Sequence, residues 1–95
     1  MRPYQSRIWR IPNHPDIAAS YNNLGNVYRD KGEYERAIEY YKQSLEIMLK
    51  AYHDSPNHPD IAASYNSLGV TYYVKQEYEE AIKYCNKAFV IAIKA

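Results

Sequence analysis

The sequence predicts an all-α protein made of two consecutive antiparallel helix hairpins with a 44-residue period. Three observations carry that prediction. The decapeptide Asn-His-Pro-Asp-Ile-Ala-Ala-Ser-Tyr-Asn stands at 13–22 and again, unchanged, at 57–66. Without a gap, 13–51 matches 57–95 at 23 of 39 positions, and Pro12 and Pro56 fall in register before each unit. Within each unit the apolar residues recur at helical spacing. A repeat at such an offset marks one supersecondary unit used twice. The chain divides accordingly into an N-terminal remnant or appended segment, 1–12, a first repeat, 13–56, and a second repeat, 57–95.

The first helix of each unit is expected over roughly 15–31 and 59–75. Its stripe is Ile17, Tyr21, Leu24 and Tyr28, matched by Ile61, Tyr65, Leu68 and Tyr72. Pro15 and Pro59 suit a first helical turn, where a missing N–H costs nothing. Asp16 and Asp60 then lie beside the positive end of the helix dipole. The second helix is expected over roughly 34–53 and 78–94. Its stripe begins Tyr34, Ala37, Ile38 and Tyr41 in the first unit, and Tyr78, Ala81, Ile82 and Cys85 in the second. Gly32 can take the left-handed conformation that ends a helix. Its counterpart is Gln76, which leaves the second turn less firmly specified.

Composition narrows the function. Twelve Lys and Arg face eleven Asp and Glu, a net charge of +1, and the positive surplus sits in Arg2, Arg7 and Arg10. So even a balance gives no electrostatic case for nucleic acid or an acidic membrane as partner. The run Ala88–Ile93 is too short to span a bilayer, and no signal peptide is evident. One cysteine, Cys85, forms no intramolecular disulfide, which fits a reducing, cytoplasmic setting.

The His-Pro-Asp tripeptides invite a zinc site or the signature of J-domain cochaperones. Zinc needs three or four convergent ligands and the chain has three histidines; the cochaperone tripeptide lies between helices, whereas here it opens a repeat twice. Helix initiation is the better reading. Cys85 sits on an apolar stripe, so packing is favoured over nucleophilic chemistry. With no phosphate loop or paired carboxylates, neither an enzyme nor a cofactor is expected. Of the twelve tyrosines, Tyr21, Tyr28, Tyr34, Tyr41, Tyr65, Tyr72 and Tyr78 are assigned to the core, while Tyr73 and Tyr84 fall off the main stripes.

The pattern Tyr21, Leu24, Gly25, Tyr28, Ala37, Tyr41, repeated as Tyr65, Leu68, Gly69, Tyr72, Ala81, Cys85, resembles the tetratricopeptide repeat. The long period, the His-Pro-Asp opening and Asn-Asn-Leu look most like the kinesin light chain and nephrocystin subclass. Ser44 for a small Ala, Gln76 for Gly and Cys85 for an aromatic depart from the pattern. The resemblance implies a right-handed α-solenoid that binds a protein or peptide partner on the concave face lined by the first helices. It also implies that Gly25 and Gly69 let the two helices of a hairpin approach closely.

On that face Asn22, Asn23 and Asn26 lie off the apolar stripe, with Asn66, Ser67 and Val70 as counterparts. A carboxamide offers donor and acceptor and can hold an extended peptide's backbone. Asn22 and Asn66 are therefore candidate backbone clamps, with Asn26, Arg29 and Tyr73 supplying specificity. The plainer reading is a solvated helix face. A clamp for a C-terminal carboxylate fits poorly, because the lysine expected one turn before Asn26 is Asn22.

Self-association is the alternative function. Two repeats are fewer than arrays usually need, and Phe89 and Ile93 lie on a last helix that is apolar on more than one face. A homodimer or higher oligomer would cover them. Without a glycine at Gln76, a second route is open beside the hairpin: the last two helices could run on as one rod, and the hairpin would then close only against a partner chain, as a domain swap.

Overall fold

The computed structural model describes residues 14–94, so the expected N-terminal segment 1–12 lies outside the described residues. Among the described residues four helices follow one another: α1 Pro15–Asp30, α2 Tyr34–Ala51, α3 Pro59–Val74 and α4 Tyr78–Lys94. Short turns at 31–33 and 75–77 fold α1 onto α2 and α3 onto α4, and α2 packs on α3 to join the hairpins.

His14 and His58 are the N-caps of α1 and α3, both in extended conformation. Each imidazole Nδ1 accepts the backbone N–H two residues on, Asp16 and Asp60, at 3.0 Å. The proline removes one orphan donor, the histidine satisfies another, and the aspartate complements the dipole. The tripeptide is thus a complete helix start.

Both turns close in the same way. Gly32 N–H donates to Arg29 O at 2.9 Å and Glu33 N–H to Tyr28 O at 2.8 Å. Gln76 and Glu77 donate equivalently to Tyr73 O and Tyr72 O, both at 2.9 Å. This is the pair of bonds of a Schellman cap, which needs a left-handed residue between them. Gly32 has φ +84° and Gln76 has φ +70°. The expected hairpin, with helices over 59–75 and 78–94, is thus the form seen, and the alternative of one fused rod is not adopted: the backbone bonds at 75–77 and the packing of α4 on α3 hold Gln76 left-handed. A side chain there is strained by about 1 kcal/mol or more. Gln76→Gly is expected to raise stability by about 1 kcal/mol, seen as a melting increase of about 4–8 °C. An unchanged or lower midpoint would contradict this account of the turn.

Two apolar clusters fill the seams. Ala37, Ile38, Tyr41, Leu68, Tyr72 and Ala81 lie toward the turns, and Ala18, Ile47, Met48, Ile61 and Ile91 toward the opposite end. Leu45 packs against both. At Gly25 an added Cβ would stand 2.7 Å from the Tyr41 ring, so glycine there is a packing requirement. Ser44 is fully buried and donates to Ala18 O at 2.8 Å, which explains a hydroxyl where the repeat has a small apolar residue.

The tyrosine assignment needs two corrections. Tyr78 is exposed, with the ring of Tyr73, itself exposed, set against it. Tyr84, off the stripe, stacks between Tyr65 and Tyr72 at 6.1 and 5.6 Å, and Tyr40 does the same between Tyr21 and Tyr28. The second correction concerns a repeated aromatic ladder that the single-stripe reading misses.

Candidate interaction groove

Between the hairpins, on the side of the first helices, α1 and α3 flank an open crevice. Asp16, Asn22 and Asn23 of α1 line one wall and Asp60, Ala63 and Ser64 of α3 the other, with Met48 and Tyr52 of α2 between them. Its volume, about 380 Å³, is in the range of small-molecule sites. Those are usually enclosed and mostly apolar, whereas this crevice is open and carries carboxylates, carboxamides and a phenol.

The carboxamide oxygen Oδ1 of Asn22 is buried and has no hydrogen-bond partner within the protein. Buried polar atoms are nearly always paired, and leaving one unpaired costs about 1–3 kcal/mol. Asn22 can thus accept a bond from a donor that enters the crevice. Asn23 is exposed beside it. At the helix N-termini, Tyr52 Oη donates to Asp60 Oδ2 at 3.0 Å while its ring stacks on His58 at 3.7 Å. Desolvation, reinforced by the bond to Asp60, pushes the Tyr52 phenol up from its ordinary range. Asp16 and Asp60 give this end of the crevice negative character.

The other expected site residues lie elsewhere. Asn26 is not a free surface group: its Oδ1 accepts the Tyr41 hydroxyl at 2.5 Å across the hairpin. Lying off the apolar stripe was expected to leave Asn26 free for a ligand; that expectation is corrected, because the residue helps to close the hairpin. Arg29 is half-buried at the far end of α1, its Nε 3.6 Å from Asp30 Oδ1. Asn66 lines a separate hollow with Ala63, Cys85, Ala88 and Phe89 on the outer side of the second hairpin. Tyr73 is exposed on that same side, beside Val70, Ile82 and Cys85, and its ring is tilted against Tyr78 at 5.8 Å. Phe89, of the Asn66 hollow, and Ile93, near the end of α4, are exposed at 62% and 66%, and Gln76 occupies the turn. Asn22 and Asn66 are equivalent in sequence but stand in different crevices, one repeat apart.

Two features of the groove escape sequence reasoning. Tyr52 reads as the last apolar position of α2, and Asp60 as a helix-start residue. The hydrogen-bonded turns between the two helices, Ser55 N–H to Tyr52 O at 2.7 Å and His58 N–H to Ser55 O at 3.0 Å, bring them together.

Helical hairpins of this form, stacked through the second helix of one and the first of the next, define a repeat-type interaction scaffold. The family model described as tetratricopeptide repeat matches residues 6–50, and a second model of the same description matches 62–92. The chain belongs to the tetratricopeptide repeat family. Its repeats are in general protein–protein interaction modules and non-enzymatic scaffolds. Among the described residues no helix is long and apolar enough to cross a membrane.

Proposed function

We propose that the protein binds an extended segment of a partner protein in the crevice between its two hairpins, with Asn22 as the backbone clamp. The orphaned Asn22 acceptor carries this reading, because it is the shape of a hydrogen bond that a ligand completes. A backbone N–H of a passing segment supplies the donor without demanding a particular side chain. Asp16 and Asp60 favour a lysine or arginine in that segment near the start of α1 and α3, where the phenol of Tyr52 also faces it. Asn23 at the mouth offers a second carboxamide.

The test is a peptide selected from a random library on the immobilised protein, titrated against the wild type and Asn22→Ala. The variant should lose about tenfold or more in affinity. Its melting temperature should stay level or rise, since the mutation removes a buried acceptor that has no internal partner. If Asn22→Ala melts markedly lower, the carboxamide serves the fold, and the clamp is wrong. Unchanged affinity in a fully folded variant would be equally decisive against it.

A further inference from the structure

The two hairpins are near-copies, yet one face is covered in the first and bare in the second. In the first hairpin, α3 seals Ile38, Tyr41, Ser44 and Met48. One repeat later the same positions are Ile82, Cys85, Ala88 and Ala92. Ile82 is 60% exposed where Ile38 is 5%. The covering surface has its own copy as well. α3 docks through Ile61, Ser64, Leu68, Thr71 and Tyr72; the equivalent face of α1 is Ile17, Ser20, Leu24, Val27 and Tyr28. Leu68 is fully buried while Leu24 is 41% exposed.

The residues that differ between the faces differ together. At the inner seam Tyr41 is a buried phenol that donates to Asn26, with the Thr71 hydroxyl beside it. At the outer faces Tyr41 is replaced by Cys85, Asn26 by Val70 and Thr71 by Val27. Where the phenol is lost, both of its polar neighbours become valine, one on each outer face. Bringing those faces together buries no unpaired polar atom at that spot. The charges repeat as well. Lys75 pairs with Glu77 of its own turn and with Glu35 across the seam. Lys31 has the matching pair to Glu33 at 3.1 Å, and Glu79 is the counterpart of Glu35.

We infer that the chain associates head to tail with a second copy of itself: the α1 face of one molecule docks on the α3–α4 outer face of the next, as α3 docks on α2. The occupant is a second copy because α1 carries the docking residues of α3 almost unchanged and the substituted positions match across the joint. Lys31 of the incoming molecule then reaches Glu79. The interface is heterologous, so growth does not stop at the dimer. Each joint also sets α1 of the incoming copy opposite Asn66, giving Asn66 the kind of wall that α3 gives Asn22.

The test is the molar mass of the full chain by light scattering and sedimentation over a wide concentration range, together with two single-face variants. Wild-type mass should climb with concentration past the dimer. Leu24→Glu blocks the α1 face and Ile82→Glu the outer face; both positions are exposed, and helicity by circular dichroism checks folding. Each variant alone should be monomeric, and an equimolar mixture should form a one-to-one heterodimer and stop. Val27→Glu with Phe89→Glu is the substitute pair if either variant unfolds. A wild type monomeric throughout would overturn the proposal and leave the face to a different chain or a following repeat. Self-pairing of Leu24→Glu, or variants that fail to complement, would overturn it too. Asn22→Ala should associate as wild type does, so this result and the groove reading fail separately.

Discussion

Tyr41→Ala is expected to lose about 3–5 kcal/mol, the range for truncating a buried aromatic. A domain of this size holds on the order of 5–10 kcal/mol in total, so the variant should lose a large share of its stability. Tyr41 is fully buried at the meeting point of α1, α2 and α3. Its ring fills the space that Gly25 leaves open, and its hydroxyl is held by Asn26. Truncation leaves a cavity in the seam and an unpaired Asn26. Tyr41→Phe keeps the ring and should lose only about 1 kcal/mol. Urea denaturation followed by circular dichroism separates the two, and equal losses would show that the hydrogen bond, not the ring, holds the seam.

The same side chain governs the alkaline limit. Burial pushes the Tyr41 phenol above its ordinary value, and this outweighs the opposing charge of Arg29 and the Thr71 hydroxyl. The folded state therefore holds that proton more tightly than the unfolded chain. Its contribution is intact below about pH 10, the unfolded value, and is lost as pH rises through the higher folded value. Lys75, held up by Glu35 and then Glu77, loses its contribution in the same direction. Tyr41→Phe should flatten the fall above pH 10 without abolishing it.

Leu68→Ala should be the second severe variant, at about 2–5 kcal/mol. Leu24→Ala, its sequence equivalent, should cost about 0.5–1 kcal/mol when measured at a dilution where the chain is monomeric. The side chains are identical and occupy the same place in the repeat. They differ in what lies above them: Leu68 is sealed by α2, and Leu24 is 41% exposed. Equal losses would contradict the assignment of α1's outer face as open.

That pair also shows where the sequence runs out. Helical period placed Leu24 and Leu68 on one stripe, and rightly so, because period reports which face is apolar. It does not report whether a neighbour stands over that face. The four helices were legible from the exact repeat and from Pro15, Pro59 and Gly32. The turn at Gln76 was legible only from the register of the repeat, because backbone bonds and tertiary packing, not the residue's own preference, hold it left-handed. In the groove, Asn22 was legible as a polar residue beside the stripe. Its companions Tyr52 and Asp60 were not, since they meet through the turns of the 52–58 connection, which the helical period does not report. Asn26 looked like surface because its partner Tyr41 lies fifteen positions away on another helix. Asn66 and Tyr73 were grouped with Asn22 by equivalence. A step of one repeat in sequence is a step of one layer in space, which carries them to the outer side of the second hairpin.

The groove is tested most directly by amide chemical-shift mapping of the labelled protein with a library-selected peptide. Perturbations should cluster on Pro15–Asn23, Tyr52 and Asp60–Ser64, and should be lost in Asn22→Ala. Perturbations confined to Tyr73, Ile82, Cys85 and Phe89, with α1 silent, would contradict it and make the outer face the partner site.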